Sequence, residues 1–189
     1  MQLLPANACL DDGLLRTHLV LKTLDHRRYT CPRDIMQGSL LIRELLEDED
    51  DVMSDAPQTV EIPLPAVDSK SLSSVFEYLE HHLGDTRYRD IERPLRGDLS
   101  ALVEPWDWKY ICDTLLQGVY EKGVHNLFAV LNAANYLHIP PLRDLCGAAL
   151  ANLVRNKSEE EILHIFGITE PFTKDQEEEL CKEFPWLRE

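Results

Sequence analysis

KSEEEILHIFGITEPFTKDQEEELCKEFPWLRE, residues 157–189, divides into two short helices, each with its own start signal. Ser158 and Glu161 have the spacing of a capping box, and Thr173 and Gln176 repeat it. Gly167 supplies a stop between them. Each predicted helix is shorter than the roughly 12–15 residues an isolated helix needs to hold in water. Ile162, Ile165, Phe166, Ile168, Leu180, Phe184 and Trp186 fall to one side, and acidic residues to the other. Helices of this kind must dock. What receives them is either the rest of the chain or another molecule.

Immediately upstream, PLRDLCGAALANLVRN (141–156) predicts a helix with Pro141 in its first turn. Leu142, Leu145, Ala149 and Leu153 make one apolar stripe, and Cys146, Leu150 and Val154 make another beside it. A helix apolar over so much of its circumference expects burial on more than one side. A small core covers one side, and the two short helices are too slight to cover the rest. A groove that accepts helices from a partner fits this pattern.

Further upstream, GVHNLFAVLNAANYL (123–137) places Val124, Leu127, Phe128 and Leu131 on one stripe. Asp68 or Ser69 caps a helix bearing Leu72, Val75, Phe76 and Leu79. HLVLKT (18–23), a turn at Asp25-His26 and RRYTC (27–31) predict two paired strands. After them a helical stretch starts at Pro32 and breaks at Gly38-Ser39, and Ser39 caps the next helix. EDEDDVMSDAP (47–57) predicts an acidic loop. QTVEI (58–62) returns to strand, and the prolines of PLP (63–65) should end it. Between Gly84 and Glu104 the pattern fails, and the arginine-rich RYRDIERPLRGD (87–98) is expected to be a mobile surface insert. No internal repeat is present.

The 189 residues are 44% hydrophobic, enough for a real core, and carry a formal net charge of −15. That charge argues against nucleic acid and anionic membranes as partners. No apolar run is long enough to span a bilayer. The opening MQLLPANACLDDG lacks a basic start and a sustained apolar stretch, so no secretory leader is expected. Five cysteines (9, 31, 112, 146 and 181) are scattered and never form CxxC, which predicts reduced, mostly buried thiols in the cytoplasm or nucleus. The sequon at Asn156 is read as chance.

Catalytic constellations are missing. There is no HExxH, GxSxG, Gly-rich phosphate loop or CxxC, and His81-His82 are neighbours rather than an i, i+4 metal pair. No cysteine has the basic surroundings that lower a thiol pKa. The expectation is a non-catalytic protein with no metal, no cofactor and no small-molecule substrate.

Several stretches, taken in order, carry a resemblance: LVLKTLD (19–25), SLLIRELLED (39–48), VEIPLPAVDSKSLSSVFEYLEHH (60–82), PWDWKYI (105–111), LFAVLNAANYLHI (127–139) and residues 156–186. The chain resembles the S-phase kinase-associated adaptor family, which joins F-box proteins to a cullin in ubiquitin ligases. The resemblance implies an α+β BTB/POZ fold, a small three-stranded sheet flanked by helices and followed by a helical extension. It implies an arm at 1–17, a BTB/POZ domain at 18–140 with a charged insert near 84–104, and F-box-binding helices at 141–189. The implied cullin-facing residues are Asn135 and Tyr136. The implied F-box-facing residues are Leu142, Arg143, Gly147, Leu150, Val154, Ile162, Phe166, Ile168, Glu177 and Trp186.

Two departures stand out. The family commonly has Lys-Gly-Leu-Leu-Asp where residues 140–144 read Pro-Pro-Leu-Arg-Asp, so Arg143 replaces an apolar contact with a charge. Lys174 stands where some protist members carry a modifiable proline. Rival readings are an elongin-C type adaptor, which ends soon after the AANYL-like helix, a self-associating BTB scaffold, and an F-box partner in a kinetochore or trafficking complex without a cullin.

Overall fold

A computed structural model describes residues 2–4, 18–50, 61–85, 91–118, 124–169 and 172–188. The centre of the sheet is β2 (His18–Thr23), whose Leu19, Val20 and Leu21 are all fully buried. Such a run needs cover on both faces. β2 pairs antiparallel with β3 (Arg28–Pro32) through the predicted turn, where His26 takes a left-handed φ of 59°. On its other side it pairs in parallel with β4 (Glu61–Leu64). The sheet order is β1-β3-β2-β4, because β1 (Gln2–Leu4) adds a fourth, antiparallel strand to the three expected. An edge is where such a strand can join without disturbing the three core pairings.

Pro63 sits inside β4 rather than ending it. β4 is an edge strand and Pro63 is exposed, so its missing N–H removes no ladder bond that the sheet needs. Residues 58–60 of the expected strand lie outside the described residues.

The crossover from β3 to β4 carries α1 (Arg33–Met36) and α2 (Leu40–Asp50), which runs four residues, Glu47 to Asp50, into the stretch expected to be loop. Ser39 caps α2: its Oγ accepts from the Ile42 N–H at 3.2 Å and donates to the Leu137 carbonyl at 2.6 Å. That second bond ties α2 to a residue 98 positions away.

α3 (Ser69–His81) starts at Asp68, whose carboxylate accepts from the Ser71 N–H at 2.7 Å, and it buries Leu72, Val75, Phe76 and Leu79 as the spacing predicts. Beside its cap, the Ser69 hydroxyl donates to Asp25 and holds that carboxyl below its ordinary range.

α4 (Leu99–Leu102) and α5 (Pro105–Tyr110) follow, and α5 widens into a π-turn over Ile111–Leu115. The buried Tyr110 hydroxyl donates to the Ser74 carbonyl at 2.8 Å. His81 stacks on Trp106 at 3.8 Å, while His82 meets Asp107 at 2.9 Å. α6 (His125–Tyr136) and α7 (Pro140–Val154) then pack on the core. α8 (Glu159–Phe166) and α9 (Lys174–Glu183) end in a 3-10 turn at Pro185–Arg188.

Among the described cysteines, Cys31 and Cys146 are buried, Cys181 is half-buried and Cys112 is exposed. The expectation of mostly buried thiols therefore holds for two of these four. No helix among the described residues is long and apolar enough to cross a membrane.

Candidate partner-binding site

α7 divides its surface into three sectors. Leu142, Leu145, Cys146, Ala149 and Leu153 are buried in the core. Arg143, Gly147, Leu150 and Val154 form a stripe along i, i+4, i+7 and i+11 that stays half or fully open. A Cβ built on Gly147 would meet nothing within 4 Å. The sequence placed Cys146 with Leu150 and Val154, but its thiol is inside the core, where burial pushes its pKa up to about 12. Leu142 was assigned to the partner-facing set and has no exposed surface. It supports the stripe from beneath and offers nothing to a second molecule.

The third sector is covered by the arginine-rich insert. Arg93 meets Asp144 at 2.7 Å, and the Arg155 guanidinium donates to the carbonyls of Arg96 and Gly97. Asp144 and Arg155 are 11 residues apart on α7, about 16 Å along its axis. Residues 93–97 therefore lie along the helix as a strap. Ile91, Leu95 and Val103 pack against the core and Leu99 is fully buried. The expectation of a mobile insert is corrected for residues 91–98. Residues 86–90 lie outside the described residues. The signal was present as Asp98, which caps α4 by accepting from the Ser100 N–H at 3.2 Å.

The two terminal helices differ in what they bury. Both capping boxes form as the spacing predicts, with Ser158 and Glu161 exchanging bonds at 3.3 and 3.0 Å, and Thr173 and Gln176 at 3.4 and 2.9 Å. Gly167 ends α8 at φ 68°. α8 docks on this chain: Ile165 is 2% exposed in a cluster with Val124 and Leu153, with Phe128 and Phe166 at its edge. Ile162 and Phe166 are half-buried, leaving part of each available. α9 buries no residue. Beyond α8 four large apolar side chains are open, Ile168, Phe172, Phe184 and Trp186, the last 69% exposed with only an edge-on approach to Phe184 at 6.3 Å among its ring contacts, while Leu180 is half-buried. Glu177 is exposed on α9.

Asn135 and Tyr136 occupy the last turn of α6. Asn135 is exposed, whereas Tyr136 is half-buried and packs against the core. Asn135 lines a depression with Leu40, Ala134, His138, Ile139, Pro140 and Arg143. Arg143 thus stands where this depression meets the open stripe of α7. Among the described residues no group of three or more His, Cys, Asp or Glu side chains is arranged to hold a metal.

The description "Skp1 family, tetramerisation domain" matches residues 17–84, and "Skp1 family, dimerisation domain" matches residues 140–187, the segment that contains α7, α8 and α9. A protein of Tetrahymena thermophila named S-phase kinase-associated protein 1 homolog is 34% identical over 92% of this chain and 95% of its own length. This chain belongs to the Skp1 family. Two further Skp1-family relatives have the same extent. The E3 ubiquitin ligase complex SCF subunit sconC of Emericella nidulans is 33% identical over 90% of this chain and 96% of its own. The Suppressor of kinetochore protein 1 of Schizosaccharomyces pombe is 32% identical over 87% and 94%. The α+β BTB/POZ fold with a helical extension, implied by the resemblance, is the fold of this Skp1-family chain.

Proposed function

We propose that this chain is the non-catalytic adaptor of a Skp–cullin–F-box ubiquitin ligase. Its α7–α9 surface receives the F-box of a substrate receptor, and the Asn135 end of α6 faces the cullin. One observation carries the first half: α9 is capped yet has no fully buried residue, its Leu180 and Cys181 being only half-buried, and the exposed Ile168, Phe172, Phe184 and Trp186 flank it in sequence. A helix of this length gains little stability alone, and its apolar side finds cover when an amphipathic partner docks. The half-open Leu150 and Val154 continue the same surface along α7. Relatives named as SCF subunits, matched over nearly their whole length, support the ligase setting.

Co-purification of the full chain from its native cell tests the proposal. Recovery of F-box proteins together with a cullin is the expected result. F-box proteins without a cullin would favour the non-ligase reading, and a homo-oligomer without either would favour the scaffold.

A further inference from the structure

The open stripe of α7 begins with a positive charge in a protein whose net charge is −15. Two guanidiniums converge on one carboxylate there: Arg93 Nη2 lies 2.7 Å and Arg143 Nε 3.2 Å from Asp144 Oδ1. The Asp144 side chain is 8% exposed, whereas those of Arg93 and Arg143 are 69% and 46% exposed. The carboxylate is spent inward and two cationic edges face out. The described residues that line the adjoining depression, Leu40, Ala134, Asn135, His138, Ile139, Pro140 and Arg143, include no acid. The first turn of α7 has none either, so the positive end of its macrodipole adds to the same field.

Arg93 comes from the strap, whose other end is held by Arg155. Asp144 and Arg155 lie about 100° around α7 from the stripe of Arg143, Gly147, Leu150 and Val154. The strap therefore stands as a wall along one flank of that stripe, with Arg93 at its head.

Resting on the reading of this surface as an F-box site, we infer that Arg93 and Arg143 form a selectivity clamp. It favours F-box proteins with an Asp or Glu side chain facing the N-terminal end of α7. Asp144 holds the two guanidiniums in register, so an incoming carboxylate meets donors already fixed in place. Such rim charges set partner choice more than overall affinity. A partner with Lys or Arg at that position is rejected by like charge.

The test uses the full chain and one recombinant F-box domain, made as a set of variants with Glu or Lys at each exposed position. At low salt, one position should bind about tenfold tighter as Glu than as Lys, in keeping with a charge effect at a rim. That preference should shrink to within about twofold in Arg93→Gln/Arg143→Gln, and in the unsubstituted chain at high salt. Arg143→Gln alone keeps the Arg93–Asp144 pair and should give an intermediate preference even if the double variant folds poorly. If the domains bind with no Glu-over-Lys preference, or with one that survives both variants, the clamp is wrong and the F-box site stands. If no domain binds at all, the adaptor reading falls and takes the clamp with it.

Discussion

Trp186 decides whether the C-terminal segment serves this chain or another. At 69% exposed it contributes little to the fold, yet an aromatic of its size is a frequent interface anchor. Trp186→Ala should leave the thermal midpoint of the free chain unmoved and weaken F-box binding at least tenfold, roughly 1.4 kcal/mol. Calorimetry of the free chain beside a binding titration checks both halves, and a lowered midpoint with unchanged affinity would make Trp186 a core residue. The thiols give a second reading at this scale. Burial pushes Cys31 and Cys146 up to about 12, so neither supplies thiolate near neutrality. Iodoacetamide should label Cys112 and Cys181 in the native chain, and Cys31 and Cys146 only after unfolding, as peptide mass analysis would reveal. Ser158 and Thr173 were legible as caps, and Asp68 as one of two candidates with Ser69, because a cap is a local contract between residues three apart. Leu142 was not: its stripe was plain in sequence, but which side of α7 the core would claim depends on residues far along the chain.

α8 and α9 look alike in sequence and part ways in the structure. Ile165 inserts between Val124 and Leu153, and no equivalent side chain on α9 finds a pocket. Ile165→Ala should therefore cost about 2–5 kcal/mol of the docking of α8, read as early loss of amide protection over 159–166. The cap of α8 adds a pH signature. Glu161 is held below the ordinary carboxylate range, first by the Ser158 backbone N–H and then by Lys157. A depressed folded pKa means stabilisation that is present above the ordinary carboxylate value and lost as pH falls through the lowered one. The difference in α8 protection between the unsubstituted chain and Glu161→Gln should thus be constant at neutral pH and vanish as acidification carries Glu161 through its lowered pKa. A difference that grew toward acid would reverse the sign and refute the assignment. The strap over 93–97 escaped sequence reading for a physical reason: its anchors at Asp144 and Arg155 lie 51 and at least 58 positions away, beyond any local pattern. Pro63 misled because a proline forbids a central strand but not an edge, and edge position is a property of the sheet.

On the scale of the molecule, the two proposed partner faces, the Asn135 end of α6 and the open stripe of α7, adjoin near Arg143. Substitutions without shared partners act independently, so Asn135→Lys should abolish cullin binding and leave F-box affinity within about twofold. Asn135 is the cleaner choice because Tyr136, half-buried against the core, would confound binding with folding. Pull-downs with each partner separately check this, and loss of both would mean that the faces are one. Gly147 sets these demands against each other. Glycine inside a helix destabilises it by roughly 0.5–1 kcal/mol relative to alanine, and here the chain's own packing gives no reason for it, since a Cβ would meet open space. Gly147→Ala should raise the thermal midpoint of the solitary protein. The empty volume beside that backbone then has value only to a visitor whose surface comes within van der Waals reach, so the same substitution should slow assembly while improving the isolated part.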